Sequence, residues 1–365
     1  MMGFLSKIKI GNEQYPALTG VRAIGAIVVF FDHFPFQTGK HIVINVLSFF
    51  FVLSGFLIMH LYYTEKPFNR SWFLKYFANR FARIYPVYFL MASIAIYLNH
   101  NFDATLVLKN YTLTHALFDN TKDILINPSW SLTVEECFYL LAPAIIFLTA
   151  RYSIFIPFLI NTGLLVVALY VSKLHTSFLH TPEFVLTTTY FGYYFDFFAG
   201  AYLALIVSKK TVENGVAKSG IKLTVAGVAG ITLIGGIISV SYDSQQQLNT
   251  IVLVLLNNVL LPIPIAIFFR GLITERSFLR KILSLRLLGF LGRTSYSFYL
   301  LHTLVIDYFA TPYLAHYITN RDLLVITTFV VTLFISIMVY LLYEEPLNRK
   351  IRNSLYQRKA ASVIK

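Results

Sequence analysis

Arg22 and His33 stand at the two ends of an apolar run, Arg-Ala-Ile-Gly-Ala-Ile-Val-Val-Phe-Phe-Asp-His. On a helix, eleven steps of 100° come within about 20° of three whole turns, so both side chains share a face, about 16 Å apart along the axis. A guanidinium stays protonated and binds anions such as phosphate. An imidazole, with a reference pKa near 6.5, takes and returns a proton close to neutral pH. The pair is suited to holding an anion at one end of a helix and moving a proton at the other. An arginine snorkelling to the interface and a histidine satisfied at the outer rim would need no chemistry. Two ionisable groups on one face are harder to dismiss, because each costs several kcal/mol at membrane depth unless it faces a cavity or a partner. Asp32 is next to His33 in sequence but projects about 100° away on a helix, which makes it a doubtful partner for the imidazole.

Three further groups carry candidate chemistry. In Asn-Pro-Ser-Trp-Ser-Leu-Thr-Val-Glu-Glu, residues 127–129 read as a turn, with Ser129 or Ser131 the expected N-cap of the following helix. Glu135 and Glu136 come about a turn later. Acidic residues suit a helix N-terminus, but adjacent ones point in different directions, so at least one is expected to face the interior. Arg80 and Arg83, in Asn-Arg-Phe-Ala-Arg-Ile-Tyr-Pro, are three apart and suited to bidentate phosphate binding; membrane anchoring would account for them equally. Tyr299 and His302 are also three apart and share a helix face.

The elements that must position these groups are membrane helices. Of 365 residues, 57% are hydrophobic and 13% charged, and the mean hydropathy is +0.66. A soluble domain is about a quarter charged. Spans of about 20 apolar residues are expected near 17–37, 42–64, 84–100, 130–150, 153–172, 185–207, 222–241, 249–269, 287–309 and 322–343. The third begins in a basic run and the fourth carries Glu135 and Glu136. The stretch 100–129 reads as a polar loop with a short surface helix. The fold class is therefore all-α: a polytopic bundle of about ten transmembrane helices with both termini cytoplasmic. On that topology, of 30 lysines and arginines only Lys40, Lys109, Lys122, Lys173 and Arg321 fall outside, as the positive-inside rule requires. The net charge of +13 does not point to nucleic acid, because the basic residues lie between apolar spans and form no single soluble face. The single cysteine, Cys137, excludes an intrachain disulfide. No cleaved signal peptide is expected from the first residues. One membrane domain is expected over 1–350, with no soluble second domain, followed by a basic cytoplasmic tail over 351–365, near anionic headgroups.

Taken in order, these stretches resemble the acyltransferase 3 family of bacterial multi-pass O-acyltransferases. The segments that carry the likeness are LTGVRAIGAIVVFFDHF, FFFVLSGFLI, NRFARIYP, SWSLTVEECFYL, TSYSFYLLH and EEPLNR, from about Leu18 to Arg349. Two departures stand out: GVRAIG where a Gly-Leu-Arg-Gly run is common, and Phe34 where a polar or other aromatic residue usually follows the histidine. The resemblance implies transfer of an acyl group, usually acetyl, from coenzyme A to a hydroxyl of a glycan or related acceptor, in the bacterial cytoplasmic membrane. His33 matches the family's catalytic position, and Arg22, Arg80 and Arg83 match its basic positions. On this reading the arginines hold the anionic end of acetyl-CoA, and its thin arm threads along one tunnel toward His33. His33 is general base or transient acyl carrier, and Glu135 or Glu136 orients it. Tyr299, His302 and Asp32 contact the acceptor, a cell-surface glycan such as lipopolysaccharide or a glycolipid, with membrane lipid as a further partner. No metal is expected. The rival reading is a proton-coupled transporter of an anionic solute, which would use the same residue types.

Overall fold

The computed structural model describes residues 15–34, 43–63, 68–174, 177–207, 220–243 and 249–363. Lys7, Lys9, Lys40, Lys66, Lys209, Lys210, Lys218 and Lys365 lie outside them, as do the side chains of the tail from residue 355 onward. Among the described residues the fold is all-helical, with one isolated antiparallel bridge, Phe118 to Phe178.

The helices are α1 (Pro16–Asp32), α2 (Val43–Tyr62), α3 (Arg70–Leu98), α4 (Ala104–Tyr111), α5 (Trp130–Arg151), α6 (Phe155–Ser172), α7 (Pro182–Thr188) and α8 (Tyr190–Ile206). There follow α9 (Lys222–Asp243), α10 (Thr250–Leu255), α11 (Pro262–Thr274), α12 (Phe278–Leu283) and α13 (Arg286–Val305). The last are α14 (Ala315–Tyr317), α15 (Arg321–Val339) and α16 (Glu345–Val363). A π-helical turn, Leu256–Leu260, joins α10 to α11, and another, Tyr340–Glu344, joins α15 to α16. Among the described residues six helices are long and apolar enough to cross a membrane: Arg70–Leu98, Asn127–Arg151, Phe155–Ser172, Lys222–Ser241, Thr250–Thr274 and Arg321–Ser354. This is the make-up of a multi-pass membrane protein. Where they are described, the ten apolar stretches expected from the sequence overlap helices, and the polar stretch after α3 carries the short α4 and three 3₁₀ turns.

Two local expectations are corrected. The third helix starts at Arg70, not near residue 84, because the Asn69 side chain caps it by accepting from the Trp72 amide at 2.9 Å. Arg80 and Arg83 consequently lie ten and thirteen residues inside a helix, about 15 and 20 Å from its start. Of the two serines expected at the N-cap of α5, Ser129 holds that position, but its hydroxyl makes no capping bond. Ser129 donates to the Ile126 carbonyl at 2.6 Å and Ser131 lies 3.0 Å from the Pro128 carbonyl, so both brace the Asn127–Ser129 turn instead.

Packing is closest between α2 and α8, between α1 and α13, and between α9 and α11. The first seam depends on Gly200, where an added Cβ would collide with the Val52 carbonyl, and on Gly55, where it would collide with the Phe197 carbonyl. Small residues let membrane helices approach to this degree. The main core draws on α1, α2, α3, α5, α8, α11 and α13. A smaller aromatic cluster of Phe30, Phe34 and Phe298 closes one end of the α1–α13 contact. α6 and α9 bury little of their surface and are peripheral. The Glu275 carboxylate, after α11, accepts from the Leu223 and Thr224 amides at 2.8 Å each, supplying acceptors to the first turn of α9.

Gly200→Val is expected to lower the apparent melting temperature in detergent by several degrees, since overpacking costs about 1–3 kcal/mol. Gly163→Val in α6, where an added Cβ meets nothing within 4 Å, controls for helix propensity and should shift it far less.

Candidate active site

Three arginines that are distant in sequence line one cavity. α1 contributes Arg22 and α3 contributes Arg80 and Arg83, around a space of about 120 Å³ also lined by Ser54 of α2, Glu135 and Tyr139 of α5, and Tyr296 and Tyr299 of α13. Three guanidiniums face one lining carboxylate. The Arg80 guanidinium lies 5.8 Å from the Tyr62 ring centre and 5.5 Å from that of Tyr139. Arg83 lies 5.7 Å from the Tyr296 ring and donates to Glu344 at 3.2 Å. Two of their N–H groups, Arg80 Nε and one terminal nitrogen of Arg83, are buried with no acceptor. Glu135 accepts from Ser54 at 2.6 Å, and Tyr139 donates to the same serine at 3.3 Å. A larger space of about 400 Å³ between α6, α8 and α11 is almost wholly apolar and holds none of these groups.

The histidines form a second cluster. His33 terminates α1 and is half-buried; its Nδ1 lies 2.9 Å from the Val29 carbonyl. His302 of α13 is wholly buried, with Nδ1 2.7 Å from the Tyr299 carbonyl. A carbonyl only accepts, so each Nδ1 carries the proton and each Nε2 the lone pair. The two rings lie 5.0 Å apart at 79°. Tyr299 links the clusters: it lines the arginine cavity, and its ring lies 5.7 Å from that of His302. Its hydroxyl is 2.8 Å from the Pro128 carbonyl and 2.7 Å from Ser131 Oγ.

Comparison with known proteins identifies the family. A family model described as an acyltransferase domain matches residues 15–342. The chain belongs to the acyltransferase 3 family. It is similar to the peptidoglycan O-acetyltransferase OatA of Listeria monocytogenes, with 28% identity over 84% of this chain and 51% of that protein. It is also similar to the O-acetyltransferase OatA of Staphylococcus aureus, with 24% identity over 94% of this chain and 58% of that one. The chain thus spans about half the length of the curated relatives it matches. No solved structure matches it.

Within this acyltransferase 3 chain, Arg22, Arg80, Arg83, Glu135 and Tyr299 meet at one cavity, while His33 and His302 form their own pair beyond Tyr299. Arg22 and His33 both meet α13, as a shared helix face requires, but His33 is not among the residues lining the arginine cavity. The expectation that a glutamate orients His33 is corrected. Glu135 is engaged by Ser54 and Glu136 by Tyr85 at 3.2 Å, and the group holding His33 Nδ1 is the Val29 carbonyl. Asp32 is half-buried beside His33. Glu344 was not singled out by residue-level reasoning, yet it is buried between Arg83 and Ser297, the latter donating at 2.6 Å. Its signal lay in the EEPLNR segment; the π-helical turn that directs it inward leaves no mark in an apolar pattern.

His115 is a further buried titratable group tied to this region. It lies outside the apolar spans, and its Nε2 is 2.9 Å from Ser129 Oγ, in the turn whose Pro128 carbonyl holds Tyr299. Burial pushes its imidazole from 6.5 down to about 4. Between those values the unfolded chain binds the extra proton and the folded chain does not. Stability is therefore undiminished above pH 6.5 and falls as pH is lowered toward 4, by roughly 1.4 kcal/mol per unit. Apparent melting temperatures at pH 4–7 are expected to show a steeper acid decline in the native chain than in His115→Gln, which keeps an ε-position donor but does not titrate.

Proposed function

We propose that this chain is the membrane unit of an O-acetyltransferase. It would move an acetyl group from cytoplasmic acetyl-CoA to a hydroxyl of a cell-surface glycan or glycolipid. The observation that carries this reading is the arginine cavity, with buried N–H groups on Arg80 and Arg83 that lack acceptors. Buried donors of this kind call for an anionic ligand. The cavity is far too small for a whole coenzyme and suits a narrow phosphorylated portion of one. The name of the Listeria relative makes a peptidoglycan sugar the first acceptor to try. The proposed topology is ten crossings of the bacterial cytoplasmic membrane with both termini inside, which places the donor end of the bundle where acetyl-CoA is kept.

In the proposed reaction His33 Nε2 removes the proton of the acceptor hydroxyl as its oxygen attacks the thioester carbonyl. The tetrahedral intermediate collapses with cleavage of the C–S bond, and the thiolate recovers the proton as the coenzyme A thiol. In the covalent variant, His33 Nε2 attacks first and is acetylated transiently before the hydroxyl takes the group. Tyr299 stands between the two clusters; its hydroxyl donates to the Pro128 carbonyl, and it would meet the carbonyl oxygen of a thioester by exchanging that bond, which Ser131, 3.0 Å from the same carbonyl, can keep.

Purified protein with acetyl-labelled coenzyme A and a panel of glycan acceptors is expected to transfer label. His33→Ala should reduce transfer by at least about 100-fold, the usual contribution of a general base. Solute uptake into proteoliposomes without coenzyme A, and no label transfer, would instead favour a transporter.

A further inference from the structure

The apolar space of about 400 Å³ between α6, α8 and α11 takes no part in this mechanism. Ala199 of α8 and Ala266 of α11 line it, and such short side chains leave a groove between larger neighbours. Phe155 and Ile263 also line it and are exposed, so the groove opens on the lateral surface of the bundle. Its direction follows from a few contacts. α6 runs antiparallel to α8, because Tyr190 donates to Asn161 at 2.7 Å while Phe198 meets Phe158, with ring centres 5.5 Å apart. α11 is entered beside the start of α8, where the Gly192 carbonyl accepts from Asn258 at 3.1 Å. Arg270 comes twelve residues after Asn258, about 18 Å along the axis. It therefore lies toward the Ile206 end of α8, where α6 begins.

Arg270 is the one charged residue lining the groove. It is exposed, and its guanidinium has no hydrogen-bond or ion-pair partner among the described residues. The carboxylate nearest in sequence, that of Glu275, is occupied by the Leu223 and Thr224 amides. The lining follows α8 from Phe195 to Ile206, about 16 Å of helix. Half of a bilayer's hydrocarbon core is about 15 Å thick.

We propose that this groove holds one acyl chain of an anionic phospholipid, whose phosphate pairs with Arg270. The apolar walls suit a hydrocarbon chain, the length suits one leaflet, and the single cation stands at the end where a headgroup falls. On the proposed ten-crossing topology that end faces the cytoplasm, so the lipid comes from the cytoplasmic leaflet, whose anionic headgroups attract basic side chains. The bound chain covers α6, which otherwise buries little of its surface. A lipid-linked acceptor would bring its phosphate and sugar to the opposite face and leave Arg270 unmatched. A second copy of this chain would cover Arg270 with apolar surface and leave its charge unpaired, which is costly. The groove shares no residue with the arginine cavity, so the inference does not rest on the acyl-transfer reading.

The test is to reconstitute the chain in vesicles of equal phosphatidylglycerol and phosphatidylethanolamine, purify it, and count retained lipid by native mass spectrometry. The native chain is expected to keep one phosphatidylglycerol in preference to phosphatidylethanolamine. Arg270→Gln should lower that preference about five-fold, the scale of one basic side chain at an anionic surface. Arg151→Gln, also exposed but outside the groove lining, should lower it far less. Ala199→Phe fills the groove and should reduce retention of both lipids. Ile263→Trp obstructs it from the exposed rim, away from the helix contacts, and should do the same. Equal retention of the two lipids by the native chain, or a preference unmoved in Arg270→Gln, would overturn the proposal. So would an equal fall in Arg151→Gln, or undiminished retention in both groove-filling variants. A lipid-free dimer, or preferential retention of an added polyprenyl phosphate, would also overturn it by assigning the groove to another occupant. Acetyl transfer is not the readout, so failure of the acyl-transfer reading would leave this result standing.

Discussion

The structure is organised around keeping three guanidiniums charged inside an apolar bundle. An isolated charge at that depth is expensive, and the chain answers with dispersed partners. Glu344 and Ser297 form a buried chain with Arg83, and Glu135, itself held by Ser54, faces the same cavity. Tyr62, Tyr139 and Tyr296 supply ring faces to Arg80 and Arg83. These partners come from three different helices, α2, α5 and α13, and from the π-helical turn before α16. Moving any one helix would uncover a charge, so the electrostatic requirement fixes relative helix positions as firmly as packing does. The cavity lining still holds more positive than negative side chains, and that excess suits it to an anion.

The histidine pair obeys a different constraint. Both imidazoles are held by backbone carbonyls of their own helices, three or four residues back, so their tautomers follow from helix geometry without a carboxylate orienter. This places the lone pairs on the far side of each ring from its own backbone, at the contact between α1 and α13. Tyr299, one turn before His302, belongs to both regions, and it is fixed by Pro128 in the turn preceding α5 and by Ser131 in the first turn of that helix. The polar stretch between α3 and α5 therefore has a structural purpose: it holds the residue standing between the two clusters.

Much of this was legible in the sequence, for identifiable reasons. Apolar runs of bilayer length marked the helices, and the eleven-residue spacing of Arg22 and His33 put both against α13, because helical phase depends only on residue count. The gathering of Arg22 with Arg80 and Arg83 rested on motif order, since no periodicity connects α1 to α3. What was not legible depends on local irregularity or on long-range contact. The true start of α3 was hidden because Asn69 caps a basic, amphipathic turn that hydropathy reads as a loop. Glu135 looked free to orient a histidine because its serine partner lies 81 residues away. Glu344 escaped because a π-helical turn changes the direction of a side chain without changing composition.

Three of the buried polar groups left unsatisfied point the same way. A membrane interior penalises such groups more heavily than a soluble core, since no water can reach them. Arg80 Nε, a terminal nitrogen of Arg83 and His302 Nε2 are all unsatisfied, and all lie in segments that carry the family likeness. A bundle selected for stability alone would have closed these gaps with a hydroxyl or replaced the residues with leucine. Their survival at the two clusters, donors at one and an acceptor at the other, is what a site that receives an anion at one end and a proton at the other requires. Asp196 of α8 departs from this pattern: its carboxylate is buried outside the cavity, with the Ser48 hydroxyl beside it. The argument therefore rests on complementary groups gathered at one place, and an unsatisfied atom alone carries no weight.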